Sequence, residues 1–168
     1  MATGKTKERT ELCAVEKIGF KVPSLYFSGE PEIISKLLGS SSMVNYKKGT
    51  IVYMKGEHND FLYYVHRGVV KISVFGDDGS EKILGYHLQN SLFGLDCLIG
   101  NCDASVTAVA ITDVVLSRLR HEEIKDLIVE NPAVGIALSN YYCRVLRLMC
   151  FQAENQCFYD VLTRVANF

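Results

Sequence analysis

The sequence predicts a mainly β domain with flanking helices, a jelly-roll-like β-roll followed by one long helix. Three observations predict it. Between Met43 and Leu119, short apolar runs rich in β-branched and aromatic residues alternate with glycine turns. The segments on either side repeat their apolar residues at helical spacing. The chain has 168 residues, 48% of them hydrophobic and 22% charged, enough for one domain with a real core.

Residues 1–20 read as a flexible N-terminal arm, and residues 21–131 as the β-roll unit. Pro31 opens a short amphipathic helix in which Ile33, Ile34, Leu37 and Leu38 share a face, and Gly39 stops it. The expected strands are Met43–Tyr46, Ile51–Met54, Phe61–His66, Val69–Phe75, Glu81–Leu88, Val106–Thr112 and Val114–Leu119. Lys48-Gly49, Lys55-Gly56, Arg67-Gly68, Asp78-Gly79 and Asn101 punctuate them. Asp78-Gly79 is the sharpest turn signal, because glycine accepts the positive φ of a tight hairpin and Asp tolerates it. His121–Glu130 forms a second helix with Ile124, Leu127 and Ile128 on one side. Asn131-Pro132 breaks it and suits the first turn of the next.

The longest helix is expected over residues 132–154. Leu138, Tyr142, Val145, Met149 and Gln152 alternate four-three-four-three, the spacing of a coiled-coil seam, and predict a homodimer interface. The competing reading is a helix packed on its own domain. Residues 155–168 read as a hinge followed by the start of a new helix.

Composition excludes several classes. A formal net charge of −1 argues against a basic nucleic-acid surface, so any DNA contact would come from a segment outside this sequence. No apolar run approaches the ~18 residues of a membrane span, and Met1–Glu11 lacks the apolar core of a signal peptide. The protein is expected to be cytoplasmic, with no membrane partner and with its cysteines reduced. No Cys-x-x-Cys pair points to a zinc ribbon. Gly4-Lys5-Thr6 lacks the earlier glycine that a phosphate-binding loop requires.

The order of pieces resembles the catabolite-activator and fumarate-nitrate regulator superfamily. The matching residues are Lys48-Gly49-Thr50-Ile51-Val52, Gly56-Glu57, Arg67-Gly68-Val69-Val70-Lys71, Asp78-Gly79 and Ser91-Leu92-Phe93-Gly94. Asn155–Val161 and Arg164-Val165-Ala166 look like the family's hinge and the first helix of its DNA-binding half. The resemblance implies a cyclic-nucleotide-binding-like roll, a long dimerisation helix and a small-molecule effector. It implies DNA binding only through a helix-turn-helix that would follow residue 168.

In the cyclic-nucleotide members, one segment holds the phosphate with helix-start N–H groups, a Glu for the ribose and an Arg for the charge. Here it maps to Phe93-Gly94-Leu95-Asp96-Cys97 and Asp103-Ala104-Ser105-Val106-Thr107. Leu95 stands at the Glu position and Ala104 at the Arg position, with no Arg between Lys82 and Arg118. The expected effector is therefore not a cyclic nucleotide.

Within the superfamily the sequence is similar to the organohalide-respiration regulators, which sense chlorinated phenols. Asp78–Lys82, Asn90–Gly94 and Asn140-Tyr141 carry that likeness. It implies that Tyr141 and Arg144 of the long helix grip the effector and that Tyr86 lies near it. Leu95 departs from the lysine of that group. The expected binding set is Tyr86, Leu92, Phe93, Gly94, Leu95, Ser105, Val106 and Thr107 from the roll, with Tyr141, Arg144 and Leu148 from the helix. The effector would be a small aromatic or otherwise apolar molecule.

Redox, haem and metal chemistry have candidate residues as well. Cys143, Cys150 and Cys157 recur every seven residues on one helix face, and Cys97 and Cys102 flank the cap segment. All five are redox candidates, against the plainer reading of cysteine as a small core residue. His87 is the best-placed axial ligand for a haem, against the plainer reading of a structural histidine, and no cofactor is expected. Metal-dependent cupins need clustered histidines, whereas His58, His66, His87 and His121 are scattered. No metal site and no catalytic residues are expected, and the protein is not read as an enzyme.

Overall fold

The computed structural model describes Phe27, residues 31–98 and residues 102–158, with Asn155 and Phe158 as backbone only. The whole of the expected arm, with Cys13, and Asn101 and residues 159–168 lie outside the described residues.

Helix α1 (Pro31–Leu38) precedes eight strands: β1 (Ser42–Tyr46), β2 (Ile51–Tyr53), β3 (Phe61–Arg67), β4 (Val70–Phe75), β5 (Glu81–His87), β6 (Leu92–Phe93), β7 (Thr107–Ala110) and β8 (Val114–Arg120). Helices α2 (His121–Glu130) and α3 (Pro132–Phe158) follow. The strands form two four-stranded sheets, in the orders β1-β8-β3-β6 and β2-β7-β4-β5. All pairings are antiparallel. Period-two alternation therefore gives each sheet one face toward the other sheet and one face away.

The two faces bury two clusters. Between the sheets lie Tyr53, Tyr63, Val65, Val70, Phe93 and Leu116, among others. On the far side of the β3 sheet, Leu62, Tyr64, Leu92 and Leu119 pack with Leu37 of α1, Ile124 of α2 and Val134, Leu138 and Tyr141 of α3. Neighbours in sequence thus serve different clusters: Leu62 and Tyr63 on β3, Leu92 and Phe93 on β6.

The turns explain the glycines. Gly68 has φ +89°, and a Cβ there would lie 2.4 Å from the Asp113 carbonyl, so only glycine fits between β3 and β4. Gly94 has φ +85°, and its Cβ would approach the Phe61 carbonyl to 2.7 Å.

The expected strands form within one residue at each end, apart from β7, which starts one residue later and ends two residues earlier. Strand β6 was not expected, because two residues are too short to display a period. The long helix also differs: it runs through the expected hinge at Asn155 to Phe158. No proline or glycine in Glu154-Asn155-Gln156-Cys157 interrupts it. By compactness the described residues up to Arg147 form one unit, and the described residues from Leu148 onward fall outside it. No helix among the described residues is long and apolar enough to cross a membrane.

Candidate effector site

The space between the sheets is lined by aromatic side chains. Its floor is an aromatic shelf: the Tyr63 and Phe93 rings stack at 5.0 Å with planes 10° apart, and Tyr53 lies 6.0 Å from Tyr63. Such rings supply apolar area with a defined flat face. Burial pushes the Tyr63 phenol up to about 12, so it stays protonated. Tyr53 is also raised well above its ordinary value, by burial first and then by the nearby Asp96 carboxylate.

Strand β5 closes one side. Its register sets His87 opposite Val70 and Gly85 opposite Ile72, so both face the interior with those residues. The His87 ring lies 5.5 Å from the Phe93 ring. Its edge keeps some exposure, but Nδ1 is shut off from solvent and has no hydrogen-bond partner among the described residues. Burial lowers the imidazole pKa to about 4, which keeps it neutral at pH 7. Beside it, a Cβ on Gly85 would meet no atom within 4 Å. A buried polar atom without a partner is uncommon in a folded core.

The rim carries a negative charge. Asp96 Oδ2 accepts the Ser105 backbone N–H at 3.0 Å and the Ser105 hydroxyl at 2.6 Å. Both polar groups of Ser105, in the segment that the resemblance maps to phosphate binding, are thus taken by the chain's own carboxylate. Ala104 is 2% exposed, and its main chain is tied to Glu57 and Gly56 by two 2.8 Å bonds. The position expected for an arginine is a core alanine.

The expected binding residues do not all meet. Phe93 and Val106 face the interior cluster. Leu92, Leu95 and Tyr141 belong to the helix-side cluster. The Tyr141 hydroxyl donates to the Leu92 carbonyl at 2.7 Å and accepts the Leu92 N–H at 3.0 Å. Thr107 accepts the Lys55 N–H, Ser105 is held by Asp96, and Gly94 makes the turn after β6. Tyr86 pairs with Lys71, on the strand face opposite Gly85 and His87. The exposed Arg144 guanidinium stands 5.8 Å from the Tyr141 ring centre. Leu148 is half-buried and falls outside the unit that ends at Arg147.

Tyr53, Tyr63, Gly85 and Asp96 were not among the expected binding residues, and His87 was considered only as a haem ligand. Alternation on β5 was the available signal, since positions 85 and 87 share a face with positions 70 and 72 of the expected neighbour strand.

The expected seam splits too. Leu138 is 4% exposed and Val145 packs beside it on the chain's own core, whereas Tyr142 is 49% exposed. Met149 and Gln152 are half-buried. Cys97 is buried, and Cys102, Cys143, Cys150 and Cys157 are exposed. No described group of three or more His, Cys, Asp or Glu residues is arranged to hold a metal ion.

Comparison with known proteins bears on this architecture. Residues 43–131 match the family described as the cyclic nucleotide-binding domain. A CRP-like cAMP-activated global transcriptional regulator of Mycobacterium tuberculosis is 28% identical over 137 residues, covering 82% of this chain and 61% of the relative. This chain therefore spans about three-fifths of the length of that relative. The c-di-GMP responsive global regulator CLP of Xanthomonas campestris superposes with a TM-score of 0.74 at 25% identity, over 82% of this chain and 70% of that one. Oxidized CprK in complex with o-chlorophenolacetic acid shares the fold, with a TM-score of 0.65 at 19% identity over 81% of this chain and 56% of that one.

Proposed function

The chain belongs to the cyclic nucleotide-binding domain family, and from that premise we propose that it is the effector-sensing and dimerisation part of a CRP-type transcription regulator that responds to something other than a cyclic nucleotide. The effector is a small aromatic or otherwise apolar molecule, bound between the two sheets. DNA is contacted by a helix-turn-helix outside this sequence, and two copies pair along α3. Effector binding biases the helix pair by favouring one of its arrangements over the other.

One observation carries the choice of ligand: Ser105 gives both its N–H and its hydroxyl to Asp96. A cyclic phosphate entering there would meet a carboxylate at close range and no arginine. An unpaired charge in a partly dry site is disfavoured by several kcal/mol. A neutral ring escapes that penalty. It gains the Tyr63–Phe93 shelf and, where binding gives access to it, can donate a phenol-type O–H to the buried, unpartnered Nδ1 of neutral His87. Several relatives bear names that mark them as cAMP-activated, so cyclic AMP is the natural competitor.

Calorimetric titration of the full chain with cyclic AMP and with a panel of halogenated phenols decides between them. Binding of a phenol, with no heat from cyclic AMP at 0.3 M salt, supports the proposal. Tight cyclic AMP binding overturns it. A double variant, Asp96→Ala with Ala104→Arg, should acquire cyclic nucleotide binding, because it removes the internal anion and supplies the missing cation.

A further inference from the structure

Helix α3 presents a second stripe, one step round from its buried face. Val134, Leu138 and Tyr141 turn into the chain's own core, with Val145 packed beside them. On the exposed side lie Ile136, Ser139, Cys143, Leu146, Cys150, Ala153 and Cys157. These positions advance three-four-three-four-three-four along one continuous helix. That is an unbroken heptad, with Ile136 and the three cysteines at one core position and Ser139, Leu146 and Ala153 at the other. Ile136 is 64% exposed and Leu146 is 55% exposed. No residue of this stripe is charged.

We propose that this stripe is the seam along which a second copy of the chain pairs in parallel, and that Cys143, Cys150 and Cys157 form interprotomer disulfides there when a peroxide oxidises them. The inference rests on the dimer reading above and goes beyond it. A second copy is the occupant the pattern favours, because a seam repeating every seven residues matches a helix with the same repeat. The flanking positions agree with self-pairing. In a parallel pair Tyr142 meets Arg147 of the mate and Met149 meets Glu154, so no like charges face each other.

Parallel register sets each residue against its own symmetry mate. Helix axes packed at about 8–10 Å, less two Cα radii of about 2.3 Å, leave about 3–5 Å for residues that face directly, and more where they splay. A disulfide needs Cα atoms about 4.4–6.8 Å apart. The three thiol layers are separated by about 10 Å along the axis, so each can close independently. Antiparallel pairing would instead set each cysteine against Ser139, Leu146 or Ala153 of the mate, with no thiol opposite it.

The chemistry balances with hydrogen peroxide as the oxidant. A seam thiolate attacks one peroxide oxygen, giving a sulfenic acid and releasing water after proton transfer. The thiol of the mate then attacks the sulfenyl sulfur. The S–S bond forms as the S–O bond breaks, and the oxygen leaves as a second water. Two thiols are oxidised, one peroxide is reduced to two waters, and a dithiol reductant reverses the link.

The test uses the full chain, first reduced, then exposed to hydrogen peroxide and run on a non-reducing gel beside a sedimentation measurement of the untreated sample. The expected result is a species near twice 18.8 kDa that dithiothreitol abolishes. Peptide mapping should return Cys143, Cys150 and Cys157 each joined to itself. Variants that keep one seam cysteine, with the other two changed to Ser, should each still cross-link. The triple variant C143S/C150S/C157S should sediment as a dimer and lose the cross-link. A sample that is dimeric yet yields no seam disulfide, or a cross-link that survives the triple change, overturns this proposal and leaves the dimer reading standing. A monomer in sedimentation overturns both.

Discussion

The two apolar clusters are built from the same strands but finished to different standards. On the helix side, polar groups are matched: the Tyr141 hydroxyl makes two bonds to Leu92, and His121 Nε2 lies 3.1 Å from the Gly94 carbonyl. Between the sheets, His87 Nδ1 has no partner among the described residues, Gly85 faces empty space, and Phe61, Leu84 and Val106 remain partly open. A folded core satisfies its polar atoms because leaving one unpaired costs about 1–3 kcal/mol. The helix side is therefore structural, and the proposed effector is placed in the roll interior. This divides the residues that resemblance alone would group into one pocket.

The sharpest way to break the comparison is Tyr141→Phe. It removes one hydroxyl and strands the Leu92 N–H and C=O in the helix-side cluster. The expected loss is about 3–5 kcal/mol from two unsatisfied groups, read as a lower urea midpoint with an unchanged slope. Effector affinity of the folded fraction should stay the same. A loss under about 1 kcal/mol, the value of an ordinary exchanged hydrogen bond, would erase the distinction between the clusters.

Acid comes next in size. His87 is neutral in the fold with a pKa of about 4, against 6.5 in an unfolded chain. The unfolded state therefore binds more protons between these values, and stability falls as pH drops from about 6.5 toward 4. The full span is on the order of 3 kcal/mol at about 1.4 kcal/mol per unit. Burial lowers His66 and His121 in the same sense, so the diagnostic quantity is the difference between the wild type and His87→Gln. The variant should lose most of this acid sensitivity, and thermal melts at pH 7.0 and 5.0 measure it. A bound phenol should steepen the acid sensitivity of the wild type, since protonation removes the acceptor at Nδ1.

Asp96→Ala should be milder. It frees the Ser105 N–H and hydroxyl at a rim where water can reach them, so the expected loss is about 1 kcal/mol or less. The informative change is in recognition. An inorganic anion should begin to protect the protein in thermal melts, which the wild type should not show. If sulfate protects both equally, the carboxylate is not what fills the anion position.

The roll was legible because its signals are local. β-Branched runs between glycine turns locate the strands, and Asn131-Pro132 fixes the start of α3. The site was legible only by subtraction: Ala104 and Leu95 said which ligand to doubt, but not where another would lie. Tyr141 shows why. Its polar head on a helix face suggested a ligand contact, yet Leu92 claims it through a pairing 49 residues away that no local pattern encodes. The expected seam on α3 was divided for a related reason. Two stripes of four-three spacing coexist on that helix, and burial alone tells that Leu138 faces inward and Leu146 outward. His87 needed the β4–β5 register before its direction could be known.

Gly85→Ala should have the smallest effect on stability and so gives the finest test. In a well-packed interior an added methyl displaces neighbours and costs about 1–3 kcal/mol. At Gly85 the new Cβ meets nothing within 4 Å, and no positive φ stands against a side chain there. Alanine also narrows the unfolded ensemble, which favours the fold by about 0.4–1 kcal/mol. The melting temperature should therefore hold or rise slightly, while the effector, whose space the methyl enters, should bind more weakly. A variant with lower stability and unchanged affinity would mean that the space beside β5 is packed after all and that the effector lies elsewhere. Retained stability with weakened binding would locate the effector against the inner face of β5, within reach of His87.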